Sequence, residues 1–290
     1  MSRIKTLIIG TLVVLLQLGL GGCSSIRLAY NNAPQLVWWW ADGYVDFSRE
    51  QTPQVKAGIE RVLDWHRSTQ LPDYLSLLVA GQSQVLEATT AAQVCRWQEQ
   101  VREKLEPTLQ RTLLLANEWL PGLGEAQFKH IEQRYAKGDE ELRDNFLQAD
   151  ANERQAESFK RALERAELLY GRLGDAQKKV IREGVAASPF DPTLWLAERQ
   201  RRQREVVATL RRLAAEKADS DKRLAALRML AAHAERSVDV AYRSHQVKLA
   251  DYNCALAAQI HNATTPAQRL KARENLKGWE EDLRSLIAAS

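Results

Sequence analysis

Apolar residues recur at three- and four-residue spacing from Pro34 almost to the C-terminus, and no stretch alternates apolar with polar residues as a half-buried strand would. A chain patterned this way hides its apolar stripes by laying helix on helix. Pro and Gly fall mostly between the periodic segments, where they start and stop helices. The expected fold is all-α: a multi-helix bundle of long amphipathic helices joined by short connections. A short aromatic helix is expected over Pro34–Phe47, and the next from Thr52, with Thr52 as N-cap and Pro53 as first helical residue. A third starts at Leu71-Pro72, and a long one runs from Thr90 to Trp119 with Pro107 kinking or splitting it. Beyond Leu120-Pro121-Gly122, helices are expected near 125–148, 152–171, 175–186, 192–217, 221–234, 238–262 and 266–288.

The N-terminus is a different kind of segment. Arg3 and Lys5 precede an almost wholly apolar run from Thr6 to Leu20, which Gly21-Gly22-Cys23 closes. A charged start, a short apolar stretch and small residues at the cut describe an export signal, and the run is short for a permanent span. The Leu20-Gly21-Gly22-Cys23 ending resembles the lipobox of bacterial lipoproteins. That resemblance implies cleavage before Cys23, with N-acyl and S-diacylglycerol lipid on Cys23 holding the body to a membrane from the periplasm. Ser24 and Ser25 follow the cysteine where an inner-membrane lipoprotein usually has Asp, which points to the outer membrane. The expected organisation is a signal peptide over 1–22, a lipidated cysteine and extended tether over 23–33, and an all-helical periplasmic domain over 34–290. That domain is open to division into sub-bundles over 34–120 and 121–290.

Loss of Arg3 and Lys5 lowers the formal net charge from +4 to +2, too near balance to draw nucleic acid. With Cys23 given to lipid, Cys95 and Cys254 remain, an even pair in an oxidising compartment. A Cys95–Cys254 disulfide is expected, two packed thiols being the alternative, and the lack of a Cys-x-x-Cys argues against a redox centre.

One internal echo stands out. Leu123-Gly124-Glu125-Ala126-Gln127 returns as Leu173-Gly174-Asp175-Ala176-Gln177, and Thr265-Pro266-Ala267-Gln268 is a third variant. Physically these are helix starts in which the Gln reaches back over the first turn; the alternative is three unrelated starts.

Two family resemblances follow. Arg27-Leu28-Ala29-Tyr30-Asn31-Asn32-Ala33-Pro34, Trp38-Trp39, Tyr44-Val45-Asp46-Phe47, Trp65-His66-Arg67 and Ser188-Pro189-Phe190-Asp191-Pro192 resemble an uncharacterised family of proteobacterial lipoproteins. Tyr170-Gly171-Arg172-Leu173 and the stretch from Tyr252-Asn253-Cys254 to His261-Asn262 fit it too, so the likeness spans nearly the whole mature chain. It implies location and fold, and carries no activity. More loosely, the Leu-x-x-x-Gln helix starts are similar to the Leu-Thr-x-x-Gln repeats of Spy/CpxP-type periplasmic chaperones, small helical dimers that cradle unfolded envelope proteins. Here Gly replaces Thr at two of the three sites, and this chain is far longer.

Candidate binding residues come from two places. Trp38, Trp39 and Trp40 are consecutive on a helix and cannot all enter one core; they suit membrane-interface seating, a partner platform, or wedging between helices. Arg201, Arg204 and Arg211 belong to a strongly basic stretch between Arg199 and Arg228, suited to lipopolysaccharide phosphates, anionic lipid or acidic clients. Glu198, Glu205 and Glu216 lie nearby, and a solvated, ion-paired face is the plainer reading. His66, His130, His233, His245 and His261 are scattered without metal-ligand spacing. No nucleophile elbow, phosphate loop or dinucleotide fingerprint is present. Neither catalytic residues nor any metal or cofactor beyond the lipid is therefore expected. The expected function is a non-enzymatic, outer-membrane-anchored binding or chaperone-like protein for envelope components. The competing readings are a structural tether and an enzyme acting on peptidoglycan or lipopolysaccharide.

Overall fold

The punctuation of the sequence turns almost segment by segment into helices. The computed structural model describes residues 25–289, so the signal segment and Cys23 lie outside the described residues. Within them the chain is all-α, with no strand. The helices are α1 Ser25–Asn31, α2 Ala33–Val45, α3 Thr52–Trp65, α4 Leu71–Gln84, α5 Ala91–Trp119 and α6 Glu125–Phe146. They continue with α7 Ala151–Tyr170, α8 Asp175–Ala186, α9 Pro192–Ala215, α10 Ser220–Glu235, α11 Val240–Asn262 and α12 Pro266–Ala288.

Most starts have an identifiable cap. Asp150, Asp191, Asp219 and Asp239 each accept from backbone N–H groups of the turn they open, at 2.8–3.0 Å. Two sequence expectations are corrected. The stretch expected as an extended tether is helical from Ser25, because Ile26 and Tyr30 have Leu71, Leu283 and Leu286 to pack against. Pro107 does not split α5: packing against α3, α4, α10 and α11 along the helix offsets the roughly 3 kcal/mol that an interior proline costs. α4 does begin at Leu71-Pro72 as expected, and it follows α3 without an intervening loop. A π-helical turn, His66–Gln70, joins α3 to α4, and the hydroxyls of Ser68 and Thr69 donate to Asp64 and Trp65 carbonyls where the ladder is disturbed.

α12 packs along α4 and touches α1 and α7; α11 packs along α5; α6 lies between α9 and α2. The C-terminal helix thus closes onto the N-terminal ones. The apolar interior is divided into five clusters among the described residues rather than gathered in one mass. A bundle with so divided a core benefits from cross-links, and one is present: Cys95 on α5 and Cys254 on α11 form the expected disulfide, with Cα atoms 5.5 Å apart.

Candidate functional site

No charged residue falls between Ala33 and Ala41, so α2 is apolar nearly all the way round. Trp38 and Ala41 turn inward and join Phe47, Val55, Ile59 and Leu115, with the Trp38 and Phe47 rings stacked at 5.9 Å. Successive helical residues point about 100° apart, so the other two tryptophans cannot follow. Trp38 is 8 % exposed; Trp39 and Trp40 are 62 % and 66 % exposed. Leu36 lies exposed on the same side as Trp39 and Trp40, and Leu28 is exposed on α1. The aromatic run is one core residue and two surface residues.

The basic stretch is largely spent on internal pairing. Arg201 holds Glu198 and Glu205 at 2.8 and 2.9 Å, and Arg211 clamps Glu125 and Glu132, both at 2.7 Å. Arg204 is exposed. Glu198 is buried, and burial is the largest single influence opposing its charge. Hydrogen bonds from Arg201 and from the buried Ser237 hydroxyl together outweigh it and hold the carboxyl below its usual range. Asp139 is treated alike by Gln203 and Arg199. These carboxylates lock α9 to α6, to α10 through Glu205 and His233, and to the turn that starts α11.

The echoed glutamines prove to be paired. Gln177 Oε1 accepts from Gly174 N at 2.7 Å, capping its own helix, while its Nε2 donates to Ala263 O and Gln268 Oε1. Gln268 does the reciprocal: its Oε1 accepts from Thr265 N and its Nε2 donates to Arg172 O at 2.9 Å. Each amide therefore donates to the carbonyl five residues before its partner's glutamine. Gln127 and Gln51 repeat the arrangement, with Gln127 donating to Asp46 O and Gln51 Oε1, and Gln51 donating to Gly122 O at 2.6 Å. Thr52 is consequently not the N-cap: its hydroxyl donates to Ser48 O, and Gln51 reaches back to accept from Ser48 N. The apolar residue four before the glutamine is buried at Phe47 and Leu173. The echo thus marks two tertiary clasps, each joining two helix starts that are remote in sequence. Gln51 had no partner in the sequence reading; the Ser48-x-x-Gln51 spacing was the signal for it.

Two tyrosine–histidine pairs lie beside these helices. Tyr30 with His66, and Tyr170 with His261, each bring a hydroxyl to 2.8 Å from Nδ1. His261 Nε2 donates to Glu87 O at 2.6 Å, so Nδ1 accepts from Tyr170. Burial pushes the Tyr170 hydroxyl up to about 12. Burial likewise holds both imidazoles below the ordinary histidine range. The unfolded chain then takes up protons near pH 6.5 while the folded chain stays neutral, so stability is full above that pH and falls on acidification. Urea midpoints should drop between pH 7.5 and 5.5, and the drop should shrink in His261→Gln; equal pH dependence in that variant would contradict this.

An open depression of about 520 Å³ marks the seam where α1 docks on α12, lined by Ser25, Arg27, Glu274, Trp279, Glu281 and Asp282. Arg27 meets Asp282 there at 3.1 Å. Among the described residues no helix is long and apolar enough to cross a membrane.

A family model described as "Family of unknown function (DUF6279)" matches residues 43–233, which run from the end of α2 into α10. The match takes in Cys95 and the Gln51–Gln127 clasp whole; Cys254 and Gln268 fall beyond it. No curated protein and no solved structure matches the chain.

Proposed function

The chain belongs to DUF6279, a family of unknown function, and we propose that it is a non-enzymatic, chaperone-like binding protein of the cell envelope, held by lipid on Cys23 at the periplasmic face of the outer membrane. The observation that carries this reading is that each Leu-x-x-x-Gln helix start is clasped to a second glutamine helix start, Gln127 to Gln51 and Gln177 to Gln268. The same motif underlies the likeness to Spy/CpxP-type chaperones, and here it stiffens a bundle that leaves apolar side chains outside. Leu105 and Leu109 stand exposed four residues apart on α5, one helical face that an unfolded or helical segment can lie along.

Aggregation of a reduced, unfolding client should be suppressed by the oxidised body at near-equal molar ratio. Leu105→Ser/Leu109→Ser should weaken that suppression at least about twofold, the loss expected when exposed apolar contact area is removed. Arg204→Glu probes the basic stretch cleanly, because reversing Arg201 or Arg211 would break internal pairs instead. No suppression at large excess overturns the reading and leaves the tether as the better account.

A further inference from the structure

We propose that Leu36, Trp39 and Trp40, with Leu28 of α1, seat in the leaflet that carries the acyl chains of Cys23, so that the body lies against the membrane instead of hanging from it. This rests on the lipid-anchored reading above.

Three observations favour lipid over a protein partner. The first is distance along the chain. Only Ser24 separates Cys23 from α1, and α1 is docked on α12 through Ile26, Tyr30 and the Arg27–Asp282 pair. The chain between the anchor position and the first residue of α1 can span at most about 7 Å. At 1.5 Å per helical residue, the stripe at 36–40 lies within about 25 Å of the start of α1. An apolar face held that close to a bilayer meets it at high effective concentration.

The second is residue type and arrangement. Leu36, Trp39, Trp40 and Gly43 follow the i, i+3, i+4, i+7 spacing of one helical face. A side chain at Gly43 would meet nothing within 4 Å, so the face is open to its end. Tryptophan is the residue that favours the headgroup boundary, its ring apolar and its N–H hydrogen-bonded to that polar layer. The inward face of α2 is already taken by Ile59 and Leu115, which fixes the tryptophans outward.

The third is charge. Arg134 stands over the ring of Tyr44, which packs against Trp40 with ring centroids 5.1 Å apart. A cation at the edge of an uncharged apolar stripe suits an anionic leaflet surface. Asp42, the nearest carboxylate along the chain, accepts from Phe47 N at 3.0 Å in its own turn.

The test uses the full lipidated chain reconstituted into phosphatidylethanolamine–phosphatidylglycerol vesicles with brominated acyl chains, which quench nearby tryptophans. Mass spectrometry of Cys23 reads the anchor, and quenching reads the seating. The expected result is an acylated Cys23 and clear quenching that falls at least about threefold in Trp39→Ser/Trp40→Ser, while Trp195→Phe, on α9, leaves it unchanged. Leu36→Ser, which keeps every tryptophan, should lower quenching in the same direction. An acylated chain without quenching, or quenching equal in the double variant, overturns the seating alone and assigns the face to a protein partner. An unmodified Cys23 overturns the anchor and the seating together.

Discussion

Replacing either cysteine of the Cys95–Cys254 pair lowers unfolding free energy by about 3–5 kcal/mol and the melting temperature by about 10 °C. The bond spans 159 residues of sequence, and chain entropy alone assigns about 5 kcal/mol to closing such a loop. The link joins α5 to α11, so its loss frees the C-terminal helices from the middle of the bundle. Cross-linking and packing can be separated, because Cys254 is 1 % exposed whereas Cys95 is only half-buried. If the covalent link is what matters, Cys95→Ser, Cys254→Ser and the double variant unfold at one denaturant concentration. A larger loss in Cys254→Ser than in Cys95→Ser would assign the effect to packing, and a loss below about 1 kcal/mol would refute the cross-link account.

Gln177→Ala is expected to cost about 2–4 kcal/mol, large for one uncharged polar side chain. The substitution strips Gly174 N–H and Ala263 C=O of partners in a buried corner, and Gln268 loses its reciprocal donor. Gln177→Glu discriminates between two roles. A carboxylate still caps Gly174 N–H, but it turns acceptors toward Ala263 O and Gln268 Oε1. If Glu is tolerated like Gln, the residue only caps its helix. If Glu costs as much as Ala, the exchange between helix starts carries the stability. A double-mutant cycle with Gln268→Ala should return a coupling of about 1–2 kcal/mol, since the two amides share one network. Gln127→Ala should cost less, because that amide is only half-buried.

Much of this molecule was legible before any coordinate. Helix starts at Asp191, Asp219 and Thr265 are local events: a short acceptor side chain meets the free N–H groups of the turn it opens, and no distant residue is needed. The apolar period that placed α8 at 175–186 and α12 at 266–288 is equally local. The errors fall where remote packing overrides propensity. Pro107 reads as kinking or splitting its helix, yet α5 runs unsplit because the helices packed along it outweigh the proline. Residues 25–31 read as tether because their apolar partners, Leu283 and Leu286, lie at the opposite end of the chain.

The candidate surfaces divide the same way. Sequence alone predicts that three consecutive tryptophans must point apart, because a helix turns about 100° per residue. It does not say that Trp38 is the one taken by Phe47 and Ile59. Likewise a basic stretch is plain in the composition, but the carboxylates that occupy Arg211 come from Glu125 and Glu132, on another helix.

What the sequence determined by itself is the helical class, nearly every helix boundary, Cys95 and Cys254 as the candidate pair, and the glutamine spacing of the helix starts. Those follow from interactions within a turn or two, or from simple counting. Tertiary structure alone decided which helix starts clasp one another, Gln51 with Gln127 and Gln177 with Gln268, and which tryptophans stay outside. Both depend on contacts between segments far apart in the chain. A single sequence carries no record of such distance, and only the packing of helices remote in the chain brings those residues together.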